Sequence, residues 1–513
     1  MVAAGGALSP IRLPNFNRVE PDAPISNLGD LTEADFRRLL HEVADWIADY
    51  RAGIEQRRVS PHCEPKAIAD SLPASAPDRA VPVDEILRDF DQLIMPGIVH
   101  WGHPSFLGYF ASTTTAPGII GEMLSAALNV SAMTWQTSPA ATELEFVVLD
   151  WIRQMLDLPA DFSGVVYDTA SVAVLHALAA AREDTGFDVR REGLAGRAGV
   201  PKLTLYASDQ AHSSLEKAAV TLGIGEANVR RLPSDAEYRM DVAALRGAIE
   251  EDIRAGRRPL AIIATVGTTS ATSVDPVDDI ADLCRERGMW LHVDAAYGGA
   301  LALLDECRDV MRGVGRADSV VFNPHKWLFV PLDFSALYVR RPEALRRVFS
   351  LVPEYLRGDA ERAGEDVPNY MDYGIQLGRR FRALKAWFVI RAFGREGLAA
   401  RIREHRRLAR LVADWVEADD RFETLAPVEM GVVCFRARQT GAGAVAGDAA
   451  LDDLNEKLLA RVNGTGAAYL THTRLRGRLA LRIAVGNVLT TERHLARVWD
   501  LIRNELARMS AAV

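Results

Sequence analysis

The sequence predicts an α/β protein with a large, mostly parallel sheet covered by helices on both faces. A helical N-terminal segment precedes this body and a smaller α+β unit follows it. Three observations predict this arrangement. Short apolar runs at 164–166, 203–207, 261–266, 290–293 and 320–322 have the length and Val/Ile/Leu content of buried strands. Helical segments alternate with them, and strand–helix–strand units return each strand parallel to the last. Beyond Phe381, helices at 382–393, 398–416 and 451–462 alternate with short strands at 432–436 and 479–483.

Composition bounds the function. A chain of 513 residues, 49% hydrophobic and 25% charged, is long enough for two or three domains around a large core. Its net charge of -9 is spread along the chain, which argues against nucleic-acid binding. No apolar stretch is long enough to span a bilayer, and the N-terminus lacks the pattern of a signal peptide. Cys63, Cys284, Cys307 and Cys434 are far apart without ligand spacing, the usage of a cytoplasmic protein with reduced thiols.

Taken in order, residues 1–30 are rich in Gly, Pro, Ala and Asn and read as a poorly ordered arm. From Leu31 the pattern turns helical: Thr32 and Asp35 form a capping start, and Phe36, Leu39, Leu40, Val43 and Trp46 recur at helical spacing. A polar linker at 60–82 leads to a helix at 83–94. The stretch 100–110 is aromatic and Gly-rich, and grouped aromatics of this kind most often form a core cluster. A helix at 142–156 precedes the first strand, which runs into Thr169-Ala170-Ser171 and a helix to Arg182. Small residues and a hydroxyl at a helix start suit either a phosphate site or an ordinary N-cap. His212 follows the strand at 203–207 within Ser208-Asp209-Gln210-Ala211-His212-Ser213-Ser214. Thr268 follows the strand at 261–266, where a hydroxyl can also bond its own turn. Asp275 and Pro276 start a helix that stops at Gly288. Residues 335–339 read as an antiparallel return at one sheet edge. The polar stretch 354–368, opened by Tyr355, has the length of a lid loop, and the Gly/Ala-rich run 440–449 reads as a loop.

Two strand ends carry the chemistry. Trp290-Leu291-His292-Val293-Asp294-Ala295-Ala296-Tyr297 ends an apolar strand in a carboxylate and small residues. Ser319-Val320-Val321-Phe322-Asn323-Pro324-His325-Lys326-Trp327 ends another just before a lysine. The stretch between Asp294 and Lys326 leaves room for a helix and return, so these ends can be neighbours in one parallel sheet, where such sheets bind ligands. A desolvated lysine becomes nucleophilic toward an aldehyde, although a surface lysine covering Trp327 would read the same in isolation. An acid to hold a pyridinium proton and a lysine to form a Schiff base are the pair that pyridoxal phosphate needs. His292, Asp294 and His325 lack compact ligand spacing on one element, so no metal site is expected.

These two motifs resemble those of the group II pyridoxal-phosphate decarboxylases, most closely the aromatic-L-amino-acid decarboxylases that act on dopa, tyrosine or tryptophan. The resemblance runs from about Leu31 to the C-terminus. It implies the fold-type-I architecture with a seven-stranded sheet. The implied organisation is a helical dimerisation segment at 31–115, a large cofactor-binding domain at 116–384 and a small C-terminal domain at 385–513. It further implies a homodimer with shared active sites and conversion of an aromatic L-amino acid to its amine and CO2.

Residue by residue, the resemblance makes Lys326 the aldimine lysine, Asp294 the partner that stabilises the quinonoid state, and His212 the residue stacked on the pyridine ring. Ala170 and Ser171 would hold the phosphate, with Thr268, Ala296, Asn323 and His325 near the cofactor and Gly378 reaching it from the neighbouring subunit. Trp101, Tyr109, Phe110 and Ser112 would wall the substrate pocket, and Met133 would enter the partner's pocket. Tyr355 would protonate the substrate carbon after CO2 leaves; relatives with phenylalanine there release an aldehyde instead. Val172, Met133 and Met371 depart from residues often found in relatives, an acid, an aromatic and an arginine respectively. The same scaffold also serves enzymes acting on glutamate or histidine, so the substrate stays open between these and an aromatic.

Overall fold

The computed structural model describes residues 30–110, 112–351, 368–438 and 447–511. The arm at 1–29, Tyr355 with most of the 354–368 stretch, and residues 440–446 lie outside the described residues. Helix α1 (Glu33–Ala52) starts where the Thr32 hydroxyl accepts a hydrogen bond from the Asp35 N–H, as the capping pattern requires. Of its apolar residues only Leu39 is fully buried, while Phe36 and Leu40 face outward. Helices α2 (Ala116–Leu128) and α3 (Pro139–Met155) lead into the sheet. The latter starts at Pro139 rather than Thr142, because proline is tolerated in a first turn whose N–H groups lack helical partners.

The sheet has seven strands: β1 (Ser163–Tyr167), β2 (Leu203–Ser208), β3 (Val229–Leu232), β4 (Arg258–Thr265), β5 (Trp290–Asp294), β6 (Ser319–Phe322) and β7 (Ser335–Val339), in the order β1-β7-β6-β5-β4-β2-β3. From β3 to β6 all neighbours are parallel. Strand β7 is antiparallel, as expected, but does not lie at an edge: it pairs with both β6 and β1, and β1 takes the edge. Burial explains the correction. All five residues of β7 are buried, and Tyr338 reaches the Leu149 carbonyl, whereas β1 begins with the exposed Ser163 and half-buried Gly164.

Helix α4 (Ala170–Glu183) follows β1, and the single-turn α5 (Pro324–Trp327) follows β6. The two helices expected at 382–393 and 398–416 form one long element, α6 (Ala383–Glu417), kinked at Gly394 with φ +62 and ψ 169. Buried packing of the large body continues along α6 to Ile402, and the core of the small unit begins at Leu408. The boundary expected at 385 therefore falls inside a helix shared by both cores. Four antiparallel strands complete the small unit: β8 (Phe422–Thr424), β9 (Val432–Ala437), β10 (Thr471–Leu475) and β11 (Arg478–Ala484), ordered β10-β11-β9-β8. The helix Asp448–Gly464 takes up the end of the run read as a loop. Among the described residues no helix is long and apolar enough to cross a membrane.

Candidate active site

Strands β5 and β6 pair in register from His292 with Ser319 to Asp294 with Val321, so their carboxyl ends lie side by side. Asp294 closes β5, and one carboxylate oxygen accepts the Ala296 N–H at 3.0 Å, which fixes the side chain at the strand end. After β6 the chain turns through Asn323 into α5, where Lys326 N–H donates to the Asn323 carbonyl at 2.9 Å. Trp327 Nε1 donates to His405 Nδ1 at 3.0 Å and locks this turn to α6.

Lys326 does not cover Trp327 from the surface. Its Nζ lies 5.1 Å from the centroid of Phe110. Phe110 stacks on Tyr297 at 3.9 Å, and Tyr297 stacks on Trp327 at 4.5 Å. Burial lowers the pKa of Lys326, and the Arg482 cation lowers it further against the opposing pull of Asp294. A lysine in this setting has an enlarged neutral, nucleophilic fraction.

The histidines divide by environment. His325 is buried and pushed down to about 3 by desolvation and then by Lys326; its Nδ1 accepts the Phe334 N–H at 3.0 Å, so it stays neutral. Asn323 accepts the Ser335 hydroxyl at 2.7 Å. Both residues brace α5 against the start of β7. His292 is likewise held neutral by burial, with Nδ1 at 2.9 Å from the Ser319 hydroxyl. His212, after β2, is lowered by burial and by Lys326 while Asp294 opposes this, so it feels both reactive groups. Its Nδ1 accepts the Ser214 N–H at 3.1 Å, which leaves the proton of the neutral ring on Nε2. Among the described residues no group of three His, Cys, Asp or Glu is placed to hold a metal ion.

Around this centre, Ala170 and Ser171 occupy the first turn of α4, where Thr169 makes no side-chain cap and the early N–H groups have no helical partner. Val172 packs against the core, and its carbonyl accepts His176 Nδ1 at 2.6 Å. Thr268 is fully buried, with its hydroxyl accepting the Ser273 N–H at 2.9 Å, so its oxygen serves a turn. Trp101 and Tyr109 form an exposed stack at 5.5 Å, and of the aromatic wall only Phe110 is placed against Lys326. Ser112 is half-buried. Met133 is half-buried, and its carbonyl accepts the N–H of the buried Met371 at 3.1 Å. Gly378 precedes Arg379, whose buried guanidinium binds Glu145 at 2.6 Å and the Val166 carbonyl at 2.9 Å.

A family model described as the pyridoxal-dependent decarboxylase conserved domain matches residues 65–438. The chain belongs to the pyridoxal-dependent decarboxylases. It is 40% identical over 492 residues to tryptophan decarboxylase 1 of Oryza sativa subsp. japonica, covering 93% of this chain and 95% of that one. It is also 40% identical over 495 residues to the aromatic-L-amino-acid decarboxylase of Sus scrofa, covering 94% and 98%. The crystal structure of Oryza sativa TDC with PLP and tryptamine superposes with a TM-score of 0.89 at 40% identity, covering 94% of this chain and all of that one.

The residues of this decarboxylase fit pyridoxal phosphate. A desolvated amine, a carboxylate at the neighbouring strand end, and the start of a helix supply the three kinds of group it requires. Two buried hydroxyls without a hydrogen-bond partner, Ser208 Oγ and Thr265 Oγ1, belong to the last residues of β2 and β4, at the same carboxyl edge of the sheet. Sequence reasoning passed over Arg482 and the Glu145–Arg379 pair. The available signal for Arg482 was a lone cation inside the apolar run Leu479-Ala480-Leu481-Arg482-Ile483-Ala484-Val485.

Proposed function

We propose that this protein decarboxylates an aromatic L-amino acid to the corresponding amine and CO2, using pyridoxal phosphate held at Lys326. The observation that carries the reading is the ring of Phe110 beside Lys326, backed by the buried Tyr297 and Trp327 stacked behind it, an aromatic surface suited to an aromatic side chain. The names of the relatives agree with it. When bound, the cofactor supplies the sink for the electron pair left by departing CO2.

The chain supplies placement and protons. Lys326 holds the cofactor through its amine, Asp294 keeps a proton on the pyridine nitrogen, and the N–H groups of Ala170 and Ser171 bind the phosphate. His212 covers the ring, and Tyr355 delivers a proton to the substrate carbon; both roles rest on the resemblance of their motifs. Asn323 and His325 act by bracing the turn that carries Lys326.

The working unit in this reading is a homodimer assembled through the 31–115 segment. Outward-facing Phe36, Leu40 and Ile86, together with Ile120, Leu124 and Leu128 on α2, supply apolar surface for it. Gly378 supports the same picture: a Cβ there would meet only Ser131 Oγ, at 3.9 Å, so packing within the chain does not demand glycine. The free thiols of all four cysteines support a reducing, cytoplasmic setting.

The test is a product assay with cofactor-loaded protein on dopa, tyrosine, tryptophan, phenylalanine, histidine and glutamate, following CO2, amine and aldehyde. Equal amounts of amine and CO2 from an aromatic substrate are expected, with glutamate and histidine turned over at least about 100-fold more slowly, the scale of discrimination an unpaired polar group imposes on an apolar pocket. Preferred turnover of glutamate or histidine overturns the substrate assignment, and aldehyde as the main product overturns the role of Tyr355.

A further inference from the structure

Arg482 reaches from β11 of the small sheet into the lysine pocket and is 4% exposed. Its guanidinium donates to three carbonyls: Tyr109, Thr269 at 3.1 Å and Ser270 at 3.3 Å. Among the described residues no carboxylate answers its charge. Desolvating an unpaired cation is costly, and a neutral donor would serve the same carbonyls at lower cost, so the charge itself needs a reason.

Position supplies one. The Arg482 guanidinium carbon lies 4.7 Å from the centroid of Phe110, and Lys326 Nζ lies 5.1 Å from the same centroid. The two cations thus share one aromatic ring at a separation over which charges in a protein interior interact strongly. Tyr109, just before Phe110, holds a left-handed φ of +54, unusual for an aromatic residue. Its backbone is clamped on both sides by the small sheet, with its carbonyl on Arg482 and its N–H on Thr471 Oγ1 at 3.4 Å.

We propose that Arg482 is a positioning residue of this site: a fixed cation that docks the small sheet onto the pocket, holds Phe110 against Lys326 and disfavours a second positive charge on the lysine nitrogen. The direction found for Lys326 agrees, with Arg482 acting alongside burial. The charged and titratable groups around the pair are Asp294 on β5, His212 after β2, His325 on α5, and Tyr297 and Cys434 beside Arg482. Of these, Asp294 alone pulls Lys326 toward protonation. The inference rests on the decarboxylase reading only in taking Lys326 as the reactive amine.

The experiment compares wild type with Arg482→Gln and Arg482→Lys. The pH titration of the visible absorbance of the cofactor-loaded protein reports the lysine nitrogen. Competitive labelling of Lys326 in the cofactor-stripped full chain, read by peptide mass spectrometry, reports the free amine. Arg482→Gln is expected to raise both midpoints by about one pH unit, a tenfold change in the protonation equilibrium, and Arg482→Lys to bring them back to within a few tenths. A folded Arg482→Gln that titrates like wild type overturns the proposal, as does one in which only KM rises. Failure of Arg482→Gln to fold overturns it too, by assigning the residue to stability alone. Shifted midpoints in a protein that turns over no aromatic substrate would leave this proposal standing and the proposed function refuted.

Discussion

Asp294→Ala is expected to lower kcat by about a thousandfold or more, roughly 4 kcal/mol in the barrier, while cofactor content falls little. The expectation follows from what the carboxylate touches. It stands at the end of β5, fixed by the Ala296 N–H, and is the one group found to pull Lys326 toward its charged form. In the proposed reading its removal would take away the anion that holds a proton on the pyridine nitrogen, so the interaction lost would be greatest where charge develops during CO2 loss. Capture of the cofactor would rely in that reading on other groups, the Lys326 amine and the start of α4, and these remain. Steady-state kinetics combined with visible absorbance separates the two effects. Near-full turnover by Asp294→Ala would show that the strand-end carboxylate does not serve the electron sink.

The second large effect concerns stability. Arg379 and Glu145 form a buried pair, 6% and 1% exposed, with N–O distances of 2.6 and 3.1 Å. The arginine also donates to the carbonyls of Ala132 and Val166, and Glu145 accepts the Val166 N–H at 3.1 Å. One ion pair thus ties α3, the end of β1, the 131–133 stretch and the loop that carries Gly378. Arg379→Ala strands a buried carboxylate and is expected to cost about 3–5 kcal/mol in denaturant unfolding. Arg379→Met combined with Glu145→Leu should recover a substantial part of that loss, because no lone charge stays behind, though the Val166 N–H loses its acceptor. A single-variant loss below about 1 kcal/mol would mean that the pair is solvated and carries little of the local structure.

Lys326 and Asp294 were legible in the sequence because each follows a short apolar strand, and the parallel crossover rule brings such ends together. The start of α1 was legible for a similarly local reason, since Thr32 and Asp35 cap it within one turn. Strand order was not. The apolar run of β7 looks the same at an edge or inside, and only its pairing with β1 decides between them. Helix α2 was hidden by its glycines, which weaken the local helical signal. The fold keeps Gly121 because a Cβ there would come within 2.7 Å of the Lys385 backbone of α6. The Glu145–Arg379 pair and the reach of Arg482 to Tyr109 join residues hundreds of positions apart, and local spacing carries no trace of such contacts. Thr268 was legible two ways, as a cofactor neighbour by resemblance or as a turn hydroxyl, and the hydrogen bond it accepts from the Ser273 N–H is the turn bond.

The measurement that tests the account most directly is borohydride reduction of the cofactor-loaded protein, followed by digestion and mass spectrometry. The account predicts one modified residue, Lys326, carrying the mass of the reduced cofactor in near-stoichiometric yield. Attachment to a different lysine, or no attachment in a protein that binds pyridoxal phosphate and turns over substrate, would contradict it.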